Sequence, residues 1–287
     1  MPDINAQEII EYYEQCQVDY EIVWHLKNHM CMHYGYWDET TPNLRAALKN
    51  MNAQLAQFAD VQPGWHVLDA GCGVGGSSIF LAGKYNCRTT GITLSEKQAA
   101  TATQNAAISG VADRSAFQQA NYLQTDFPDN HFDLVWGMES VCYAHDKYDF
   151  LKEAFRILKP GGRVVIADFF HNDVRKGTAD WQILDKWTKT WAIKEYAGVS
   201  GFEDDLKRAG FTALRKKDTT QNVLKSIKRL YYSFFPGLVV TYTGQALGMR
   251  TKVQTANTWS TYYQHKAYTK GLWKYMFYTG IKPDSQQ

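Results

Sequence analysis

The stretch Val67-Leu68-Asp69-Ala70-Gly71-Cys72-Gly73-Val74-Gly75-Gly76 constrains the fold of this chain more than any other part of it. An apolar, β-prone run (His66-Val67-Leu68) ends in an acid. Closely spaced glycines follow, and a helix-compatible segment from Ser77 to Lys84 takes over. Glycine allows a sharp turn after a strand and, having no Cβ, lets the backbone come within van der Waals reach of a ligand. Dinucleotide-binding loops share this layout, so the glycines alone do not choose the ligand. Two details oppose a dinucleotide. Asp69 stands just before the first glycine, where a carboxylate suits an ammonium or hydroxyl rather than a pyrophosphate. No Asp or Glu closes a second strand about 20 residues on, where the ribose of a dinucleotide needs one. Thr90-Gly91-Ile92-Thr93-Leu94-Ser95 stands there instead.

From Gly64 onward the pattern alternates strand and helix, which predicts a parallel sheet with helices on both faces. Strands are expected near 65–70, 87–92, 115–120, 132–137, 163–168, 211–217 and 273–281, the last two as an antiparallel pair closing the sheet. Residues 1–60 read as a helical cap, with Ile9, Ile10, Tyr13, Ile22, Val23 and Leu26 at helical spacing. The irregular run His33-Tyr34-Gly35-Tyr36-Trp37-Asp38 interrupts it, and a second helix runs from near Pro42 to Phe58. The core spans 61–219, with a helical excursion at 171–200. A helical insertion at 220–265 (Val223 to Phe234, Val253 to Tyr263) precedes the last strand and tail, 266–287. These helical parts would cap the carboxyl ends of the strands, where open α/β sheets bind ligands.

A chain of 287 residues is ample for one large α/β domain with a buried core. Its net charge of +2 makes no case for nucleic acid or an acidic membrane surface. Aromatics are the outlier at 14%, with 18 Tyr and 9 Trp. Their concentration outside 61–219 suggests an apolar pocket. Five cysteines with no C-x-x-C pair argue against a disulfide framework or a zinc site, and no metal is expected. The start carries no leader-like run and no apolar stretch approaches a membrane span, so a cytoplasmic location is expected.

These motifs resemble those of the class I S-adenosylmethionine-dependent methyltransferases, from about Val61 to Phe170. Gly91-Ile92-Thr93-Leu94-Ser95 with Gln98 resembles the second-strand motif of the branch holding sterol, tocopherol and cyclopropane-fatty-acid methyltransferases. Asp129-Asn130-His131-Phe132-Asp133-Leu134-Val135 resembles the approach to the fourth strand, and Leu158-Lys159-Pro160-Gly161-Gly162-Arg163 the turn into the fifth. The resemblance implies a Rossmann-like sheet of seven mostly parallel strands, S-adenosyl-L-methionine as cofactor and S-adenosyl-L-homocysteine as product. Gly71, Cys72, Gly73 and Gly75 would pass under the methionyl and ribose parts, with Asp69 at the methionyl end, unless it merely caps the next helix. Thr93, Leu94 and Gln98 would hold the ribose, whose usual acid is missing. After the third strand, Asn121 would meet the adenine, since its amide both accepts and donates, with Tyr122 beside it. The His33-Tyr34-Gly35-Tyr36 run resembles a lid in which Tyr36 or Tyr34 closes over the sulfonium.

Methyl transfer from a sulfonium is an in-line displacement, so the first requirement is to hold the acceptor atom about 3 Å from the methyl carbon. Trp136 to Lys147 follows the fourth strand and resembles the Glu-Ser…Asp-Lys segment of sterol and tocopherol enzymes. Glu139 could orient a hydroxyl or counter positive charge, and His145 could serve as a base. Many aromatics and no cluster of phosphate-binding cations fit a small, largely apolar acceptor: an isoprenoid, prenylated phenol or sterol-like molecule. Carbon methylation with Glu139 beside a cationic transition state fits this. Oxygen or nitrogen methylation, with His145 as base or by proximity alone, fits nearly as well. Two rivals remain, a nicotinamide oxidoreductase and a non-catalytic binding module on the same fold. The oligomeric state stays open.

Overall fold

The computed structural model describes residues 4–284. Three N-terminal helices, α1 (Ile4–Val23), α2 (Leu26–His29) and α3 (Leu44–Phe58), precede an alternation of β1 (His66–Ala70), α4 (Gly76–Tyr85), β2 (Arg88–Thr93), α5 (Glu96–Ile108), β3 (Ser115–Gln119), β4 (Phe132–Met138), α6 (Lys147–Ile157) and β5 (Leu158–His171). Next come α7 (Ala179–Thr190), α8 (Val199–Arg208), β6 (Thr212–Asp218), the long helices α9 (Thr220–Ala246) and α10 (Lys252–Thr269), and β7 (Trp273–Ile281).

One seven-stranded sheet forms in the order β3-β2-β1-β4-β5-β7-β6. Only β7 runs antiparallel, to β5 on one side and β6 on the other. The central strands are apolar on both faces, as a parallel sheet covered by helices requires. Alternate residues divide between two layers. Val67, Leu134, Trp136, Val165 and Ala167 pack on one side, while Leu68, Val135, Val164 and Ile166 pack on the other. Sheet order reverses between β1 and β4, and a crevice at such a switch point is where ligands bind.

Six of the expected strands lie within about one residue of the sequence reading. The fifth does not. β5 begins at Leu158, because Phe132 pairs with Leu158 across a bulge before the regular ladder with β4 resumes at Leu134 and Arg163. The expected helix end near Phe234 is also corrected, since α9 runs straight through Pro236. A helix proline forfeits one hydrogen bond to the carbonyl four residues back. That carbonyl belongs to Tyr232, an exposed position where water can serve it.

Candidate active site

A cavity of about 420 Å³ lies over the carboxyl ends of β1 and β4, roofed by α1, α9 and α10. Its floor is the glycine bend. The Gly71 and Cys72 amides both donate to the Ile92 carbonyl, and the Gly75 amide donates to that of Cys72. Gly71, Gly73 and Gly75 have left-handed φ of 91°, 53° and 89°, a region that L side chains avoid. Asp69, also lining the cavity, is buried and accepts from the Ser78 amide (3.1 Å) and hydroxyl (2.7 Å), both on Oδ2. Capping the first turn of α4 and facing the cavity are thus two roles of one carboxylate. Burial pushes its carboxyl up to about 6.

Glu139 sits one residue past β4 in the left-handed region, with φ 49°. Such backbone persists only where the surroundings over-determine it, and several bonds do so here. The Glu139 amide donates to the Ala167 carbonyl, and the Ser140 hydroxyl to the Ala70 carbonyl at 2.5 Å. The Cys142 amide donates to Asp168. Lys147, buried, donates to the carbonyls of Cys142, Ala144 and Glu195. Two donors then converge on Glu139 Oε1, the Tyr34 amide and the Tyr275 hydroxyl, each at 2.7 Å. Burial pushes this carboxyl up to about 8 against the two hydrogen bonds.

Aromatic faces make the rest of the wall. Tyr34 stacks on Tyr275 at 6.2 Å and meets Phe169 edge-on at 5.3 Å, and Phe169 meets Trp191 at 5.6 Å. From α1 and the turn after β4 come Tyr13, Tyr20 and Tyr143, with the Tyr13 hydroxyl donating to that of Tyr143 at 3.1 Å. Burial raises all three phenols, so they stay protonated.

Several sequence expectations are corrected here. His145 is exposed, outside the cavity, with its ring nitrogens against the Lys194 ammonium, so it is no base for a ligand in this cavity. Tyr36 is not part of the cavity either. It packs on Phe277, one two-residue step along β7 from the Tyr34–Tyr275 pair, and its hydroxyl accepts from Lys217. Tyr122 turns its ring edge-on to Phe150 and donates its hydroxyl to the Ser140 carbonyl. It braces the Glu139 turn rather than lining the site. Gly75 serves helix packing, since a Cβ there would lie 3.0 Å from Ala102 and Phe117.

Thr93, Leu94, Gln98 and Asn121, expected around the ribose and adenine, do not line this cavity. Thr93 donates its hydroxyl to Gln98 Oε1 at 2.7 Å, which leaves the Gln98 amide as a donor. Gln98 borders a small hollow shared with Val74 and Met32. The Leu94 carbonyl accepts from Gln119. Asn121 spends its carbonyl on the Leu123 amide, so its own amide is the group left for a ligand. Met30 and Met32, in the run leading into the expected lid, cross the glycine bend, a contact the sequence reading did not assign to them. A Cβ at Gly76 would lie 2.1 Å from the Met30 carbonyl oxygen, and one at Gly73 2.8 Å from Met32 Cε. The Gly75-Gly76 doublet is a local signal of this close approach.

Comparison with known proteins gives the family and the fold. The family model described as a methyltransferase domain matches residues 68–166. Methyltransferase GfsG of Streptomyces halstedii is 34% identical over 226 residues, 77% of this chain and 78% of that protein. The chloroplastic tocopherol O-methyltransferase of Arabidopsis thaliana is 29% identical over 299 residues, 96% of this chain and 82% of that one. Two solved structures share the fold. The [4+2]-cyclase SpnF has a TM-score of 0.80 at 22% identity, covering 98% of this chain and 97% of its own. A geranyl diphosphate C-methyltransferase from Streptomyces coelicolor A3(2), with S-adenosyl-L-homocysteine bound, has 0.76 at 18% identity, covering 98% and 99%.

Proposed function

Because this chain belongs to the class I S-adenosylmethionine-dependent methyltransferases, of the tocopherol and sterol-like branch, we propose that it methylates a hydroxyl of an extended, largely apolar acceptor, with Glu139 taking the proton. The observation that carries this reading is the state of the carboxyl and imidazole groups around this cavity. Asp19 is paired with Arg250 at 2.8 Å. His33 is committed at both ring nitrogens, Nδ1 to the Tyr34 carbonyl and Nε2 to the Asn52 amide, and burial takes it down to about 4. Asp69 belongs to the glycine bend. Glu139 remains, with both donors on Oε1 and Oε2 left to the cavity.

The residues present fit the cofactor. S-Adenosylmethionine supplies an electrophilic methyl group on a positively charged sulfur. Asp69 Oδ1 would hold its ammonium end and the glycine bend its sugar, with the Gln98 and Asn121 amides as further donors. Glu139 would draw the proton from the acceptor hydroxyl as the new oxygen–carbon bond forms. A base matched to the working pH is efficient at this, and the aromatic wall excludes water. The apolar character of the acceptor is supported by that wall and by the tocopherol relative. A carbon acceptor is the second reading, favoured by the aromatic faces of Tyr34, Phe169 and Trp191, which would stabilise a transient carbocation.

Extracts incubated with the enzyme and methyl-labelled S-adenosylmethionine should show a labelled product in the lipophilic fraction. An O-methyl carbon signal near that of a methyl ether supports the hydroxyl reading, and a C-methyl signal replaces it with the second. Transfer only to water-soluble acceptors would overturn both. The Asp69 assignment has its own check. A carboxyl raised to about 6 is neutral below that pH and loses its hold on an ammonium. Calorimetry should therefore show S-adenosylmethionine affinity falling as pH drops through 6. In Asp69→Asn, affinity at pH 7 should be lower by about 10- to 100-fold and nearly flat across that range. A wild-type affinity that does not change between pH 5 and 7 would remove Asp69 from the contact.

A further inference from the structure

We infer that the outer face of α9 and the turn into α10 dock on an anionic lipid bilayer. Tyr232, Phe235, Val239 and Tyr242 are each more than half exposed, spaced three, four and three residues apart. That spacing keeps them on one side of the helix. Leu247 and Met249 extend the apolar row past the helix end, at 66% and 73% exposure. Lys225 and Lys228 precede it on the same side, and Lys252 follows it, all exposed. Soluble monomers seldom leave an apolar face of this extent uncovered.

Charge decides what covers it. Residues 220–269 contain six Lys and Arg and not one Asp or Glu. Arg250 is neutralised by Asp19, whereas Lys225, Lys228 and Lys252 form no ion pair among the described residues. The whole-chain charge of +2 gave no case for an acidic membrane surface because it averages this cationic hairpin with a remainder that is net negative. A second copy of the chain, packed face to face, would set these lysines against each other. Anionic headgroups complement them, at a cost in salt sensitivity. No helix among the described residues is long and apolar enough to cross a membrane. The contact is therefore interfacial, with Tyr, Phe and Val side chains at the headgroup–acyl boundary.

The cavity opens on this same face. Val240 and Ile22 line it and are 61% and 66% exposed at its rim, beside Pro236. An acceptor of the kind proposed above would pass from bilayer to cavity without crossing water. Only that last step rests on the proposed function; the docking itself does not.

Flotation with phosphatidylcholine vesicles, with and without phosphatidylserine, tests the docking in the absence of cofactor or acceptor, so its outcome is independent of the chemistry. Binding to the anionic vesicles should be at least about tenfold tighter and should weaken with salt. The triple variant Tyr232→Ser, Phe235→Ser, Val239→Ser should lose about tenfold or more, and Lys225→Gln with Lys228→Gln about as much. Ile108→Ser on α5, at a position 78% exposed, should bind as wild type. Circular dichroism establishes that each variant is folded. Equal binding to both vesicle types, wild-type binding by the folded variants, or no vesicle binding would overturn the proposal. So would a dimer in sedimentation that the triple variant splits, which would give the face to a second copy.

Discussion

Replacing Gly73 with valine is expected to leave the protein folded and to weaken S-adenosylmethionine binding by at least about 100-fold. A Cβ at this position would meet a single neighbour within 4 Å, Met32 Cε at 2.8 Å. That atom is the far end of a flexible side chain and can move. The backbone cost of a β-branched residue at φ 53° is about 1–2 kcal/mol, a shift of a few degrees in Tm for a chain of this size. The two γ-methyl groups of valine would project over the bend to which the cofactor is assigned. Gly71 and Gly76 are the informative contrasts. A Cβ on Gly71 would sit 2.4 Å from Ser140 Cβ, and one on Gly76 2.1 Å from a backbone oxygen. Gly71→Val and Gly76→Val should therefore lower stability before they report on binding at all. Calorimetry with S-adenosylmethionine and S-adenosylhomocysteine, beside a melting curve, separates the two effects. A dissociation constant for folded Gly73→Val within about threefold of wild type would refute the assignment of the bend.

What could be read from the sequence was whatever local pattern determines. β7, Trp273–Ile281, matches its expected span because a dense aromatic and apolar run, Tyr275-Met276-Phe277-Tyr278, lies between the breakers Gly271 and Pro283. Likewise the glycine bend advertises itself through residues that only its backbone conformation requires. The site chemistry depends on long-range approach, which leaves no local mark. Glu139 owes its environment to Tyr34, 105 residues before it, and to Tyr275, 136 residues after it. Tyr34 and Tyr36 look interchangeable in sequence, yet the strap carrying them follows β7, and two residues of extended chain move a side chain about 6–7 Å. That step separates the cavity wall from the Phe277 contact. His145 had the right chemistry but lies on the outside of a turn whose direction is set by Lys147. The cationic, apolar hairpin was fully visible as a run of residues without an acid, and it was hidden by taking the charge of the chain as a whole.

Glu139→Gln is expected to make the protein both more stable and far less active. Burial holds this carboxyl at about 8 in the folded state, against 4.5 when solvated. A raised carboxyl contributes stability that is complete below pH 4.5 and lost as pH climbs through 8, because ionising the folded form is unfavourable there. Glutamine cannot ionise, and its side-chain carbonyl still accepts from the Tyr34 amide and the Tyr275 hydroxyl. The variant should therefore match wild type near pH 4 and exceed it at pH 8 by on the order of 3 kcal/mol. That gain would appear as a Tm higher by several degrees. Turnover should fall by about 10²- to 10³-fold, the usual contribution of a positioned base, while S-adenosylmethionine affinity holds. Wild-type kcat/KM should rise with pH towards a plateau above about 8, and the variant's residual rate should lack that rise. A residue that only anchored the strap would give the opposite pattern, since glutamine preserves the anchor and activity would survive. Unchanged turnover at pH 8 with the true acceptor would take Glu139 out of the chemistry and leave its left-handed backbone without a functional account.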